Sequence, residues 1–294
     1  MAKFHDLNLL HTQDQNSLQE SIKTLIKTGY EVVAVNHVVT SLDKKMVQNA
    51  PPPMEIQESV TAPLKMRAKT FKQLSRLTLI LSDMQTYRIN SDAVQSYDIL
   101  AVQPTTEKLF QLACTQLDID IIQVNMTEKM PMLIRIHPVK AALERGVYFE
   151  IVYAPAVRDS TARKNIISNA LSLMFMCKGK NIIISSQAEN AMEIRGPYDV
   201  ANLGFLFGLN EAQSKDAVSM NCRSVLLHAE TRRNTARGAL SISNISDISE
   251  RDAWKIKEHK SSNPSIASNH QTDEEESDEE KSCTRKKKKQ KTKM

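Results

Sequence analysis

"YDILAVQPTTEKLFQLACTQLDIDIIQV", residues 97–124, reads as strand, turn, helix and strand. Two runs rich in Ile, Leu and Val, at 97–103 and 118–124, flank a turn and a helical stretch, the signature of successive βα units. Both runs are nearly continuous in apolar residues, as parallel strands covered on both faces require. The same unit recurs outward along the chain. Further strands are expected at "KFHDLNL" (3–9), "EVVAVNH" (31–37), "RLTLILS" (76–82), "VYFEIVY" (147–153) and "NIIISS" (181–186). An eighth fits "SVLLHAE" (224–230), a stretch that reads equally well as the end of a helix. Because the units continue without a change of style, an α/β, TIM-barrel-like (β/α) barrel is expected rather than a doubly wound sheet.

Helix ends are legible between the strands. "DSTARKNIISNALSLMFMCKGK" begins at an Asp159 or Ser160 N-cap and ends at Gly179, between Lys178 and Lys180. Its residues Ile166, Ala170, Leu173 and Cys177 form one apolar stripe, which is expected to pack into the core. "GPYDVANLGFLFGL" has Pro197 in the first turn and Gly208 at or just past the end. Asn210 with Gln213 then suggests a capping box for a helix running to about Cys222.

With 294 residues and 41% apolar composition, the chain can bury a sizeable core. It has no apolar run of about 18 residues, and "MAKFHDLNLL" lacks the pattern of a signal peptide, so a soluble intracellular protein without membrane association is expected. Cys114, Cys177, Cys222 and Cys283 lie far apart, which argues against a disulfide framework or a structural zinc site.

Charge separates a body, residues 1–240, from a tail, 241–294, that is expected to be disordered. An acidic block at 273–280 surrounds Ser277, a candidate phosphorylation site. A basic block at 285–293 carries Arg285, Lys286, Lys287, Lys288, Lys289, Lys291 and Lys293, and fits a nuclear localisation signal. Residues 41–75 break the strand pattern with three consecutive prolines and scattered basic residues. They read as a long irregular insertion.

Two loops echo each other: "VQPTTEKLF" after the fourth strand and "VNMTEKMPM" after the fifth place Lys108 and Lys129 beyond adjacent strand ends. Ligands bind at that end of an α/β fold. Arg158 and Arg163 follow the sixth strand and Arg195 the seventh, gathering cations on one rim. Lys164, Arg232 and Arg233 add three further cations, and a placed set of this kind is what binding a folded RNA through its phosphates rather than its bases would need. Arg195 has two expected roles, a phosphate outside the barrel or a carboxylate such as Glu150 within it.

No catalytic or metal-ligating set emerges. The seven histidines form no H-x-H or H-E-x-x-H, and glycine-rich nucleotide motifs and a nucleophile elbow are absent. No cofactor is therefore expected. Glu150, inside "VYFEIVY", is most simply a buried carboxylate with a cationic partner.

These residues also resemble a known family. "FHDLNL", "VVAVNH", "RLTLILSD", "RGVYFEIVYAPAVRDSTARKNIISNALSLMFMCKGKNIIISSQAE" and "EIRGPYDVANLGFLFGLNEAQSKDAVSMNCRSVLLHAETRR" closely resemble the thirty-kilodalton protein subunit of eukaryotic ribonuclease P and RNase MRP, from residue 3 to about 238. That resemblance implies a noncatalytic, TIM-barrel-like subunit, nuclear and nucleolar, bound to ribonuclease P RNA and RNase MRP RNA. It implies a complex that removes the 5′ leader from precursor tRNA and takes part in rRNA processing, with other subunits that include a Pop5-like protein. The fold is also similar to the PHP metallophosphoesterases, whose first strand carries H-x-H. Here that place reads Asp6-Leu7-Asn8. The competing expectation is a degenerate metal-dependent phosphoesterase using Asp6, Asp83 and Glu150.

Overall fold

The computed structural model describes residues 3–40, 49–56, 70–82, 91–130, 134–236 and 240–241. Asp83, Ser277 and the acidic and basic blocks, with the expectations attached to them, lie outside these residues. Seven strands run in chain order: β1 His5–Leu10, β2 Val32–Val39, β3 Lys72–Leu81, β4 Ile99–Pro104, β5 Ile121–Gln123, β6 Tyr148–Val152 and β7 Ile182–Ser185. Each pairs in parallel with the next, so spatial order follows sequence order. A single bridge, Leu9 to Ala188, links the first strand to the segment after the last, and the sheet becomes a nearly closed barrel.

Helices follow the strands: α1 Gln15–Thr28, α2 Asp92–Gln95, α3 Glu107–Thr115, α4 Ile136–Glu144, α5 Ala154–Arg158, α6 Ser160–Cys177, α7 Pro197–Leu206, α8 Glu211–Ala217 and α9 Met220–Asn234. A short antiparallel pair, β8 Thr235–Ala236 with β9 Leu240–Ser241, comes after them. The outward faces of the strands carry Val33, Val35, Leu77, Leu79, Leu100, Val102 and Phe149 into one continuous core with the helices. Ile166, Ala170, Leu173 and Cys177 of α6 are all buried there, as the stripe predicts. Asp159 caps α6 by accepting from the Ala162 N–H at 2.7 Å. The helix stops at Cys177, before Gly179, because Lys178 turns left-handed at φ 54°.

Two expectations need correction, and one left open is decided. Residues 72–75 belong to β3 rather than to the insertion: they pair with Val32–Val35, and Leu74 is buried inside the barrel. The helix capped by Asn210 and Gln213 has the reciprocal capping box but ends at Ala217, not near Cys222. The chain turns there because Val218 is buried and its carbonyl accepts from the His5 N–H at 3.0 Å, which pins the turn beneath β1. The stretch 224–230, left open between strand and helix, lies within α9.

Helix α9 plugs the N-terminal end of the barrel. Its Cys222 and Val225 join Leu7, Val32, Ala34, Leu74, Ile99, Ala101, Ile121 and Ile183 in a separate interior cluster. Asn221 donates to the Ile182 carbonyl at 2.7 Å and anchors the start of the helix. The interior is thus apolar at the N-terminal end of the strands, which leaves chemistry to the other end. Among the described residues, no helix is long and apolar enough to cross a membrane.

Candidate nucleic-acid interface

Above the apolar plug, the barrel interior turns polar. Arg76 of β3 and Glu150 of β6, both fully buried, form a two-pronged pair with both N···O distances at 2.6 Å. Around it runs a closed ring of hydrogen bonds. Arg76 Nε donates to Thr78 Oγ1 (3.1 Å), and that hydroxyl donates to Asn36 Oδ1 (2.7 Å). Asn36 Nδ2 donates to Asn8 Oδ1 (2.7 Å), and Asn8 Nδ2 donates to Glu150 Oε2 (3.1 Å). Arg76 also donates to the Leu7 carbonyl at 2.8 Å and to Gln123 Oε1 at 3.4 Å, which uses all five guanidinium N–H donors. The cation expected beside Glu150 is therefore Arg76, and Arg195 is not its partner.

This ring tests the metallophosphoesterase expectation directly. A metal would need Glu150 as ligand, but both carboxylate oxygens already accept from Arg76, and a guanidinium stands beside them. Asp6 Oδ1 is engaged by the Asn8 and Ser186 N–H groups at 3.2 and 3.1 Å, where it joins the two ends of the sheet. Burial raises the Asp6 pKa above the ordinary carboxylate value, which favours the neutral acid over a ligand anion. The donor set does not fit a metal centre, and among the described residues no group of three His, Cys, Asp or Glu side chains assembles to hold one.

At the mouth, a cavity of about 420 Å³ is floored by Gln103, Gln123 and Asn125 and rimmed by Arg158 and Glu189. Arg158 closes an ion-pair cluster, to Glu189 at 2.6 Å and Glu193 at 3.2 Å, with 36% of its side chain still exposed. Arg163 is exposed in the first turn of α6, its Nε donating to the Ala156 carbonyl at 2.7 Å, and Lys164 beside it is also exposed. Lys108, at the start of α3, and Lys129, in the loop after β5, are exposed as well. That loop is rigidly held: Asn165 and Asn169 of α6 donate to the carbonyls of Thr127, Met126 and Glu128 at 2.8–3.1 Å.

Arg195 sits half-buried, and its backbone is clamped between two tyrosines. Its N–H donates to Tyr153 Oη and its carbonyl accepts from Tyr30 Oη, each at 3.1 Å. Its guanidinium donates to the Met192 and Ile194 carbonyls at 2.8 and 3.1 Å. The side chain thus orders the loop that carries Glu189 and Glu193, with its outer edge left to solvent. Pro197 opens α7 directly after it, as expected.

Arg232 and Arg233 lie elsewhere. They end α9 at the opposite face of the barrel, where Arg232 pairs with buried Asp120 at 3.0 Å and Arg233 with Asp98 at 3.0 Å. Only 6% of the Arg232 side chain is exposed. His228 Nδ1 also meets Asp120, at 2.8 Å, and this hydrogen bond raises the His228 pKa above its ordinary 6.5. The sign follows from linkage: a raised folded-state pKa contributes stability that is complete below the unfolded value and is lost as pH climbs through the folded one. The stability difference between the protein and its His228→Gln variant is therefore expected to shrink as pH rises from about 6 to about 8. Urea unfolding at both ends of that range checks it. A difference that grows with pH would contradict the His228–Asp120 pair.

Sequence reasoning missed Arg76, the Asn165–Asn169 clamp and Arg135, an exposed rim cation paired with Glu107 at 2.9 Å. The paired spacing of two asparagines one helical turn apart, at 165 and 169, was the one signal available for the clamp.

Comparison with known proteins agrees with this architecture. Residues 3–234 match the family model described as RNase P subunit p30. The chain is 49% identical over 246 residues to "Ribonuclease P protein subunit p30" of Mus musculus, covering 82% of this chain and 91% of that protein. It is 35% identical over 242 residues to "Probable ribonuclease P protein subunit 3" of Schizosaccharomyces pombe, covering 81% and 98%. Among solved structures, a chain of an archaeal ribonuclease P with mature tRNA superposes with a TM-score of 0.57 at 16% identity, over 83% of this chain and all of that one. That likeness is one of fold.

Proposed function

Since the chain belongs to the family of the RNase P subunit p30, we propose that it is a noncatalytic protein subunit of the ribonuclease P ribonucleoprotein and of RNase MRP, acting in the nucleus and nucleolus. It binds the catalytic RNA and partner subunits, and so supports 5′-leader removal from precursor tRNA and rRNA processing. The observation that carries the noncatalytic part is the Arg76–Glu150 pair, which fills the barrel interior where a hydrolytic centre would need free carboxylate oxygens. What supports the RNA-binding part is Arg158 on the rim of the mouth cavity, together with Lys108, Lys129, Arg163 and Lys164, which are exposed and follow β4, β5 and β6 in the chain, and half-buried Arg195 after β7. Exposed Leu171 and Phe175 on α6, with Phe205 and Leu206 on α7, supply apolar surface that a Pop5-like subunit would cover.

Protein immunopurified from nuclear extract should carry one structured noncoding RNA and further protein subunits. RNA at the level of a mock purification, or phosphoester cleavage with stoichiometric metal by the isolated protein, would overturn the proposal. The contacts are tested by salt. Lys108→Ala and Lys129→Ala are each expected to lower the slope of log affinity against log salt by about one unit. Arg232→Ala should leave the slope unchanged and lower the melting temperature, because its guanidinium is spent on Asp120. The reverse pattern would place the RNA on the other face.

A further inference from the structure

The mouth cavity of about 420 Å³ carries more chemistry than the rim cations use. Strands β4 and β5 pair in parallel at Ala101 with Ile121 and at Val102 with Ile122, so Gln103 and Gln123 come next, side by side on strands about 4.8 Å apart. Side chains alternate along a strand, and Ala101 and Ile121 belong to the barrel interior. Gln103 and Gln123 therefore face inward as well, and both line the cavity. A third amide, Gln187, enters the same lining from the segment after β7.

The two floor amides are uncommitted. Gln123 is 2% exposed, and its one hydrogen bond among the described residues runs from Arg76 to its Oε1, at 3.4 Å. A guanidinium only donates, so Gln123 must turn its oxygen to Arg76 and its NH2 away from it. That NH2 has no partner among the described residues and is not closed off from solvent, so it opens on the cavity floor. The Gln103 side chain has no partner among the described residues either, and its amide can present oxygen or NH2. A ligand for this floor must offer an acceptor to Gln123 and a second polar atom beside it to Gln103.

Charge decides which polar group fits. The lining holds two carboxylates, Asp159 and Glu189, against one guanidinium, Arg158, which is already paired with Glu189. Phosphate is repelled from such a floor and is left to exposed Arg163 and Lys164 in the first turn of α6. A cationic group is opposed by the fixed NH2 of Gln123. What remains is an uncharged edge with neighbouring hydrogen-bonding atoms. Leu10, Val152 and Pro155 add apolar walls, which suit the flat faces of a base better than the hydroxyls of a sugar.

We propose that the mouth cavity receives the base of one unpaired RNA nucleotide, with its pairing edge on Gln103 and Gln123. The assignment rests on the reading of the chain as an RNA-binding subunit and deepens it, because the rim cations recognise phosphate alone. The pairing edge of each of the four bases sets an acceptor beside a donor. The acceptor meets the Gln123 NH2, and the donor meets Gln103 Oε1. A base in a duplex has already committed that edge, so the cavity selects unpaired RNA over paired RNA rather than one base over another.

The test uses the full-length protein, with its glutamine side-chain amides labelled for NMR, and three uncharged probes: cytidine, ribose and N-acetylglycinamide. Cytidine is expected to give saturable shifts at Gln103 and Gln123, with an affinity that is the same at low and high salt because no phosphate takes part. Ribose and the peptide amide should bind at least about 10-fold more weakly. Gln103→Leu has no hydrogen bond to lose, so it should keep the melting temperature and weaken cytidine about 10-fold. Ribose as strong as cytidine, silent glutamine signals, or undiminished cytidine binding in Gln103→Leu would each overturn the base. A peptide amide that binds as well as cytidine would assign the cavity to a partner's main chain and overturn it too. If the base fails while the protein still binds structured RNA with a salt-dependent affinity, the subunit reading stands. Loss of all RNA binding overturns that reading instead.

Discussion

Replacing Arg76 with Met is expected to destabilise the protein by about 3–5 kcal/mol, seen as a lower urea midpoint with an unchanged slope. The size comes from what stays behind. Glu150 would keep its place at the barrel centre, fully buried, with Asn8 as its remaining side-chain donor. Thr78, the Leu7 carbonyl and Gln123 would each lose a donor as well. Glu150→Gln should cost a similar amount, because it strands the Arg76 guanidinium without a counter-charge and turns an amide N–H toward one of its donors. The double variant Arg76→Met with Glu150→Leu should recover much of the loss, since well-packed apolar groups of similar volume often replace a buried ion pair at little cost. Equal midpoints for Arg76→Met and the parent protein would mean the pair does not hold the interior.

Asp120→Ala should have the next largest effect, about 3 kcal/mol. Asp120 is fully buried at the start of β5 and serves three groups: the Leu100 N–H at 2.9 Å, the Arg232 guanidinium and His228. Without it, Arg232 becomes a nearly buried cation with no counter-charge, and α9 loses its main electrostatic hold on the barrel. Because α9 plugs the apolar end, loosening it should also expose Cys222, which is fully buried and whose burial keeps its thiol well above the ordinary range. Faster thiol labelling of Cys222 in Asp120→Ala would therefore accompany the lower stability. An unchanged labelling rate would show that the plug is held by packing alone.

Most of the barrel was legible from its strands, because parallel strands buried on both faces write themselves as apolar runs. β3 shows where this signal fails. Lys72, Gln73 and Ser75 interrupt its first half, so that half reads as linker, yet Leu74 between them points into the core. The site was legible only in part. Arg76 looked like a polar strand boundary because its carboxylate lies 74 positions away. Arg232 and Arg233 resembled a phosphate-binding pair for the same reason: their partners, Asp120 and Asp98, are 112 and 135 positions distant. Exposed Lys108 and Lys129 needed no distant partner, and the loop echo sufficed to place them.

The seam between the first and last strands has a temporal consequence. It is closed by one bridge and by bonds such as Ser186 N–H to Asp6, which join residues 180 positions apart. Contacts of such long sequence separation bear the full loop-closure entropy, so they form late. On the ribosome, β1 emerges first and can pair with β2, but its other edge stays open until the segment after β7 has been made. Until that segment has emerged, the nascent chain is therefore an open curved sheet with an unprotected edge. Closure waits on the same segment, 186–195, that carries Glu189, Glu193 and Arg195, so the rim is assembled only when the cylinder is.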